Sequence, residues 1–328
     1  MPKVSVLIPA YNAAKYIGDA LASVNAQTLS DVETIVVDDG SSDDTREVVG
    51  QFPWARYVYQ SNRGVAAARN RAASLASGTY LAFLDADDYW HPRKLIAQVS
   101  AFHEHPECRL AYTGATRDRA EFQALFSAAP SKTEIFVERR DLKTIFLNPY
   151  LGTPTVMVRR DAFERIGGYN EALRFGEDVD FHLRMLTQTD AVLFLPATLA
   201  YIRAVEGSLS RDHTAGYYAL LGVYKTFLLQ QPDVAEKIGS AAVRQAFYNL
   251  HVRLGRSLLW SRELKEARVE LLRALHLQFR SEPLGLIMRT WVPRPLLMGT
   301  KRLIARAGSK SRADAASHLR PSPGDPET

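Results

Sequence analysis

The 328-residue chain predicts an α/β fold, a mostly parallel sheet followed by an α-helical carboxyl-terminal region. Three observations carry that expectation. Short apolar, β-branched runs alternate with helix-period stretches through the first hundred or so residues. A polar cluster follows each of the first four apolar runs. After about His213 the pattern turns uniformly helical.

Val4 to Ile8 reads as the first strand, and Ala14 to Gln27 as a helix with Tyr16, Ile17, Leu21 and Val24 near helical spacing. Val32 to Val37 is the second strand, and Asp43 to Gln51 a short helix capped by Asp43. Arg56 to Gln60 is the third strand, and Gly64 to Ser77 an Ala-rich helix stopped by Gly78 before a fourth strand, Thr79 to Leu84. Right-handed crossovers between such strands build a parallel sheet covered on both faces. Pro92 opens the next helix, Arg93 to Glu104. Strands are expected at Arg109 to Thr113 and Thr133 to Val137 with a polar loop between them, Gly114 to Ser131. A short strand ends at Arg159, and Asp161 is expected to cap a helix ending at Gly167-Gly168. A helix from Glu177 to Thr187 and a strand from Ala191 to Leu195 follow. Tyr217 to Leu229, Val234 to Ser257 and Glu263 to Gln278 are helical in period, the last resembling half of a tetratricopeptide-type hairpin.

Composition is ordinary globular, 46% apolar and 23% charged, which excludes collagen-like, disulfide-scaffold and wholly disordered classes. A chain of this size buries roughly 75% of its unfolded surface, so it needs no staple. The single Cys108 cannot form an internal disulfide and points to a reducing compartment. Met1-Pro2-Lys3 passes directly into the first strand, too soon for a secretion signal, and no run of about 18 apolar residues occurs. A cytoplasmic protein is expected.

Ligands bind outside the carboxyl ends of strands in an open parallel sheet. There this sequence places Pro9-Ala10-Tyr11-Asn12, Asp38-Asp39-Gly40, Asn62-Arg63-Gly64 and Asp85-Ala86-Asp87-Asp88. Any one cluster could be helix capping, but four along one edge form a site. Asp85 and Asp87 would face one crevice with Asp88 beside them. Unpaired, they would repel and be costly to desolvate. A hard divalent cation, Mg²⁺ or Mn²⁺, relieves that repulsion and ordinarily shares its shell with substrate phosphates. Arg63 and Arg69 can supply further positive charge. Asp38 and Asp39 can accept from a base edge or a ribose hydroxyl, and Tyr11 offers a stacking face. The expected ligand is a nucleoside diphosphate. Glu177 and Asp178 open a helix, where their charge suits the dipole. Equally, one of them near a bound diphosphate could be a general base.

Val-Ser-Val-Leu-Ile-Pro-Ala-Tyr-Asn (4–12), Val-Val-Asp-Asp-Gly-Ser-Ser-Asp-Asp-Thr (36–45), Asn-Arg-Gly-Val-Ala-Ala-Ala-Arg-Asn (62–70), Leu-Asp-Ala-Asp-Asp (84–88) and Gly-Glu-Asp-Val-Asp-Phe (176–181) occur in that order. The set resembles a family-2 glycosyltransferase of the GT-A fold, with a Rossmann-like nucleotide-binding sheet, over residues 3 to 210. The resemblance implies inverting transfer from a nucleotide-diphosphate sugar, with uridine favoured, in bacterial-type surface polysaccharide or glycolipid assembly. It implies that Asp39 and Pro9 to Tyr11 hold the base, and Arg63 and Asp85 the ribose-diphosphate side. Asp87 would then hold the metal, with Asp178 as base and Glu177 as the competing choice. Many relatives carry a lid histidine where Val205 stands here; Arg203, Ser208 or Arg211 could compensate. His182 reads as structural.

The organisation expected is a transferase domain over 1–212, a helical hairpin-like region over 213–282, a basic amphipathic segment over 283–312 and a disordered tail over 313–328. From Gly285 to Arg312 there are seven basic residues and no acidic one, mixed with Leu284, Leu286, Ile287, Met288, Trp291 and further apolar residues. Packing on the preceding helices and peripheral contact with an anionic membrane, through residues 284–312, both account for this. The second suits a lipid-linked or glycan acceptor at the inner face of a membrane. No reader motif for nucleic acid accompanies the charge. Two rivals remain at this point, a sugar-nucleotide nucleotidyltransferase and a non-catalytic sugar-nucleotide-binding assembly module. Against the first, Pro9-Ala10-Tyr11-Asn12 stands where a Gly-rich basic loop would be needed.

Overall fold

The computed structural model describes residues 3–127, 136–149, 151–205 and 212–291. They run in the order β1 (Val4–Ala10), α1 (Ile17–Asn25), β2 (Val32–Asp38), α2 (Thr45–Val49), β3 (Ala55–Tyr59), α3 (Val65–Leu75), β4 (Tyr80–Phe83), β5 (Tyr89–Trp90) and α4 (Lys94–Glu104). Next come β6 (Leu110–Thr116), α5 (Arg119–Ser127), β7 (Glu138–Asp141), α6 (Leu142–Leu147), β8 (Met157–Arg159), α7 (Arg160–Arg165), α8 (Glu177–Met185) and β9 (Ala191–Tyr201). Five helices follow: α9 (His213–Gln230), α10 (Pro232–Ile238), α11 (Ser240–Ser261), α12 (Leu264–Leu277) and α13 (Ser281–Arg289).

All nine strands form one sheet in the order β3-β2-β1-β4-β8-β6-β9-β5, with β7 also paired to β9. β3, β2, β1 and β4 are mutually parallel, as expected from their helix-bearing crossovers. From β1 the chain builds outward to β2 and β3, then returns to lay β4 on the other side of β1. A crevice opens where the direction of building reverses, at the carboxyl ends of β1 and β4. β8 runs antiparallel to β4 and β6, whereas β6 and β9 are parallel. Every residue of β1 and β4 is buried, and Ile17, Leu21 and Val24 of α1 pack into the same core. A bulge in the β6–β9 register falls at Gly114, where a Cβ would come within 2.8 Å of the Pro196 carbonyl oxygen. No side chain fits there.

Several expectations need correction. The loop expected between Gly114 and Ser131 contains α5, whose first amides, those of Ala120 and Glu121, donate to Asp118 Oδ1 at 2.9 and 3.1 Å. Of the strand expected at Thr133 to Val137, residues 133–135 lie outside the described residues, and 136–137 precede β7, which begins at Glu138. Asp161 does not cap α7 but lies inside its first turn and pairs with Arg165 at 2.7 Å. The single helix expected over Val234 to Ser257 is two, broken at Gly239, where φ is +85°. Segments 292–312 and 313–328 lie outside the described residues.

The described residues form two compact units, one ending at Leu250 and the other starting at His251. In the first, α9 packs on α8. In the second, the end of α11 meets α12 where Gly255 leaves room for Leu271, and α12 packs on α13. His251 and Glu270 form a buried pair at 2.6 Å there. Among the described residues no helix is long and apolar enough to cross a membrane.

Candidate active site

The carboxyl ends of β1 and β2 shape one wall of the crevice. Asp39 donates its amide to the Ala10 carbonyl at 2.8 Å. Its carboxylate accepts from Gln60 Nε2 at 2.7 Å and from the Arg63 and Gly64 amides at 2.9 and 2.8 Å. Three of its roughly four lone-pair sites are therefore filled by the chain itself. Gly40 makes this possible: its φ is +84°, and a Cβ would stand 2.8 Å from the Asn62 amide nitrogen. Asp38 is engaged by the Ser41 amide at 2.8 Å and the Tyr57 hydroxyl at 2.7 Å. Burial and then the Asp38 carboxylate hold the Tyr57 hydroxyl well above its ordinary range. Asn12, at φ +49°, accepts from the Ser42 amide at 2.9 Å and sets the loop rather than facing the crevice.

A cleft of about 830 Å³ results, lined by Pro9, Ala10, Tyr11, Asp39 and Asn62 to Ala66 on one side and Glu171 to Arg174 on the other. Tyr11 is 55% exposed, its ring available for stacking. Arg63 reaches across to Glu171 at 2.9 Å, with both side chains largely in solvent. Glu171 and Arg174 were not singled out from the sequence, and nothing in their spacing marks them; the fold brings them in from the loop after α7.

The second wall is acidic. Asp85, Ala86, Asp87 and Asp88 follow β4, with Ala86 buried in the core. Arg69, on α3, is 4% exposed and donates to Asp85 Oδ1 at 2.8 Å and Glu177 Oε1 at 3.2 Å. Its guanidinium also stacks on the Tyr169 ring, 5.1 Å from the centroid. Burial alone would lower its pKa, but the field of Asp85, with Glu177 adding to it, raises it above the usual range. Arg203 is the other cation. Its amide donates to Asp88 Oδ1 at 2.7 Å, its Nε to the Asp87 carbonyl at 2.9 Å, and a terminal nitrogen to Asp19 at 2.7 Å. Of the three residues named as compensating for the missing lid histidine, Arg203 thus staples the acidic loop; Ser208 and Arg211 lie outside the described residues.

Those two cations do not neutralise the wall. Burial, then the like charge of Asp85, pushes the Asp87 carboxyl up. Burial with Asp85 and Asp87 pushes Asp88 up to about 9. Glu177 is raised chiefly by burial. Among the described residues no group of three or more His, Cys, Asp or Glu side chains is disposed to hold a metal ion. Asp85 and Asp87 nevertheless offer what Mg²⁺ or Mn²⁺ needs of a protein, one or two hard carboxylates beside a place for phosphate oxygens. Their crowding is the repulsion a cation would relieve.

Glu177 and Asp178 start α8, placed by Gly176 in the left-handed region at φ +75°. They part company there. Both line a neighbouring cleft of about 300 Å³ with Phe175, His213 and Tyr217, but Glu177 is tied to the buried Arg69 by an ion pair and Asp178 is not. Asp178 Oδ1 accepts only from the next amide, that of Val179, at 2.7 Å. Val65 and Arg174 line both clefts, which are therefore contiguous.

Known proteins are similar to this chain in sequence and in fold. Residues 5–167 match Glycosyl transferase family 2. A putative teichuronic acid biosynthesis glycosyltransferase, TuaG, of Bacillus subtilis is 33% identical over 219 residues, 64% of this chain and 82% of the relative. An uncharacterized glycosyltransferase of Haemophilus influenzae is 31% identical, over 64% of this chain and 72% of that protein. The mannosyltransferase PcManGT of Pyrobaculum calidifontis, solved with GDP-Man and Mn²⁺, superposes with a TM-score of 0.59 at 18% identity, covering 92% of this chain and 83% of that one. TarS 1-349 of S. aureus, solved with UDP-GlcNAc, gives 0.57 at 18% identity over 88% and 90%. The fold is GT-A, a mostly parallel sheet with flanking helices and a helical carboxyl-terminal region. The chain belongs to glycosyl transferase family 2.

Proposed function

We propose an inverting, metal-dependent transferase that moves a sugar from a UDP-sugar to an acceptor hydroxyl. One observation carries the reading: Asp178, its outer oxygen without a partner among the described residues, lines a cleft contiguous with the one built by Pro9 to Tyr11, Asp39 and Asn62 to Gly64. The nucleoside lies on the β1–β2 side, its base against Tyr11 and the remaining lone pair of Asp39. Arg63 contacts the diphosphate. Asp87, with Asp85 beside it, would hold Mn²⁺ or Mg²⁺, which when bound supplies charge stabilisation to the leaving diphosphate. Arg69 holds Asp85 and Glu177 in place. Asp178 takes the proton from the acceptor hydroxyl, whose oxygen attacks the anomeric carbon from the face opposite the diphosphate. Glu177, committed to Arg69, is the poorer base.

A panel of nucleotide sugars, screened by thermal shift with and without Mn²⁺, tests the donor. Asp178→Asn is expected to keep donor binding and lower turnover about 10²- to 10⁴-fold. Unchanged turnover would move the base elsewhere.

The acceptor we infer is a growing surface polysaccharide or its lipid-linked precursor, a reading supported by the relative named for teichuronic acid biosynthesis. The enzyme would act in the cytoplasm at the inner membrane face. On α13 and the residues after it Leu284, Met288 and Trp291 lie one helical turn apart, 38%, 64% and 70% exposed. The sequence from there to Arg312 adds six basic residues and no acidic one. Such a surface suits an anionic bilayer. Sedimentation with phosphatidylglycerol vesicles, but not with phosphatidylcholine ones, is expected, and Met288→Glu should weaken it. Equal partitioning to both would refute the contact.

A further inference from the structure

Behind Asp178, one helical turn along α8, stands His182. It is fully buried and edge-on to Phe181, which itself packs on Tyr169 and Phe83. Its Nδ1 lies 3.1 Å from the Pro149 carbonyl oxygen. A carbonyl can only accept, so Nδ1 carries the hydrogen, and Nε2 of the neutral ring is left with a lone pair. That Nε2 is buried and has no hydrogen-bond partner among the described residues. Leaving a buried acceptor unsatisfied is costly, and such atoms call for an explanation.

The charged groups facing the ring do not supply a donor in the resting state. Arg69 of α3 directs its terminal nitrogens to Asp85 and Glu177, and neither its Nε nor the Tyr169 hydroxyl, both buried, is hydrogen-bonded to the ring. Asp178, four residues back, shares its stripe of the helix, where side chains stand about 5–6 Å apart at Cβ. As a carboxylate it can only accept. Burial, partly offset by Asp178, holds the imidazole below its ordinary pKa, so the ring stays neutral and offers no proton. Asp178 gains an O–H only when it has done its work as base.

We propose that His182 is a positioning residue for the proton that Asp178 removes, with Nε2 accepting a hydrogen bond from the newly formed carboxyl O–H. This rests on the reading of Asp178 as base. The step balances as follows: the acceptor O–H bond breaks and its proton bonds to Asp178. The electron pair forms the new bond to the anomeric carbon, and the diphosphate departs with the pair of the bond it loses. The lone pair of His182 is unsatisfied while Asp178 is a carboxylate and satisfied once its O–H has formed, which favours the protonated carboxyl and makes Asp178 the stronger base.

The test uses the whole chain labelled with ¹⁵N-histidine. Asp178→Asn puts a permanent N–H donor where the carboxyl O–H would form, and Asp178→Ala removes it. The Nε2 resonance of His182 is expected upfield in D178N relative to D178A, as for an imidazole nitrogen that accepts a hydrogen bond. Identical resonances would overturn the proposal without any need for a foldable His182 variant. In turnover, His182→Leu should lower kcat about ten- to a hundredfold with the donor KM unchanged, and His182→Gln, whose carbonyl can accept, should recover part of it. Wild-type kcat in His182→Leu would also overturn the role. Undiminished transfer by D178N would instead overturn the assignment of the base, whatever the resonances show.

Discussion

Two sets of carboxylates line the same sheet edge, and they are treated in opposite ways. Asp38, Asp39 and Asp43, after β2, are surrounded by donors from their own chain: amides of Ser41, Arg63, Gly64, Ala14 and Thr45, with Tyr57 and Gln60 adding side chains. Asp85, Asp87, Asp88 and Glu177, around β4 and α8, share Arg69 and Arg203, and Asp178 is bonded to neither. Asp87, Asp88 and Glu177 are held above the usual carboxylate range by burial and by one another. The first set fixes backbone. The second stores electrostatic demand that a positively charged or proton-donating ligand would meet.

Breaking the second set should cost most. Arg69→Met strips both Asp85 and Glu177 of their buried partner, and loss of about 3–5 kcal/mol is expected in chemical unfolding, because uncompensated buried charge remains. A much smaller loss would mean that solvent reaches the pair and that the two sets differ less than their burial suggests. In the first set, Asp39→Ala leaves the Arg63 and Gly64 amides without an acceptor, for about 1–3 kcal/mol, and should weaken donor binding as well. Asp38→Ala should lower stability alone. Equal loss of donor affinity in both would erase the distinction between loop-setting and cleft-lining roles.

The smallest effect concerns Glu33, which belongs with the satisfied set although it lies at the other end of the strands. Burial would raise its carboxyl, but hydrogen bonds from Ser5, from the amide and hydroxyl of Ser77 and from the Gly78 amide outweigh it and hold the pKa below the ordinary value. A carboxyl lowered on folding adds stability above its unfolded pKa, about 4.3, and gives it up as pH falls through the lower folded value. Part of the acid decline in melting temperature below about pH 5 should therefore be missing in Glu33→Gln. An identical acid limb would show that these four bonds survive protonation.

Legibility follows the same division. The parallel strands and their helices announce themselves by local period and by Gly and Asp punctuation, because each βα step is settled within some twenty residues of chain. β5, α5, β7 and α6 escaped, and the reasons are physical. β5 is two residues long and exists only through β9. β7 has no apolar alternation, Glu138-Arg139-Arg140-Asp141, and is made by pairing with β9 far along the chain. α5 and α6 were signalled by Asp118 and Asp141, caps that went unread among other polar residues. Among site residues, composition marked the acidic words but could not divide Glu177 from Asp178, since that depends on where Arg69 reaches. Lys94 is more opaque still: a lysine at the start of α4 whose side chain is fully buried against Trp90 and Gln98.

The saturation of Asp39 bears on how donor preference can change. With its oxygens already spoken for by Gln60, Arg63 and Gly64, the one free lone pair points wherever the 60–64 turn directs it. Under the role proposed for Asp39 against the base, swapping a pyrimidine for a purine donor would be a matter of rebuilding that turn's path. Exchanging a single side chain opposite the base would leave the aim of the carboxylate untouched.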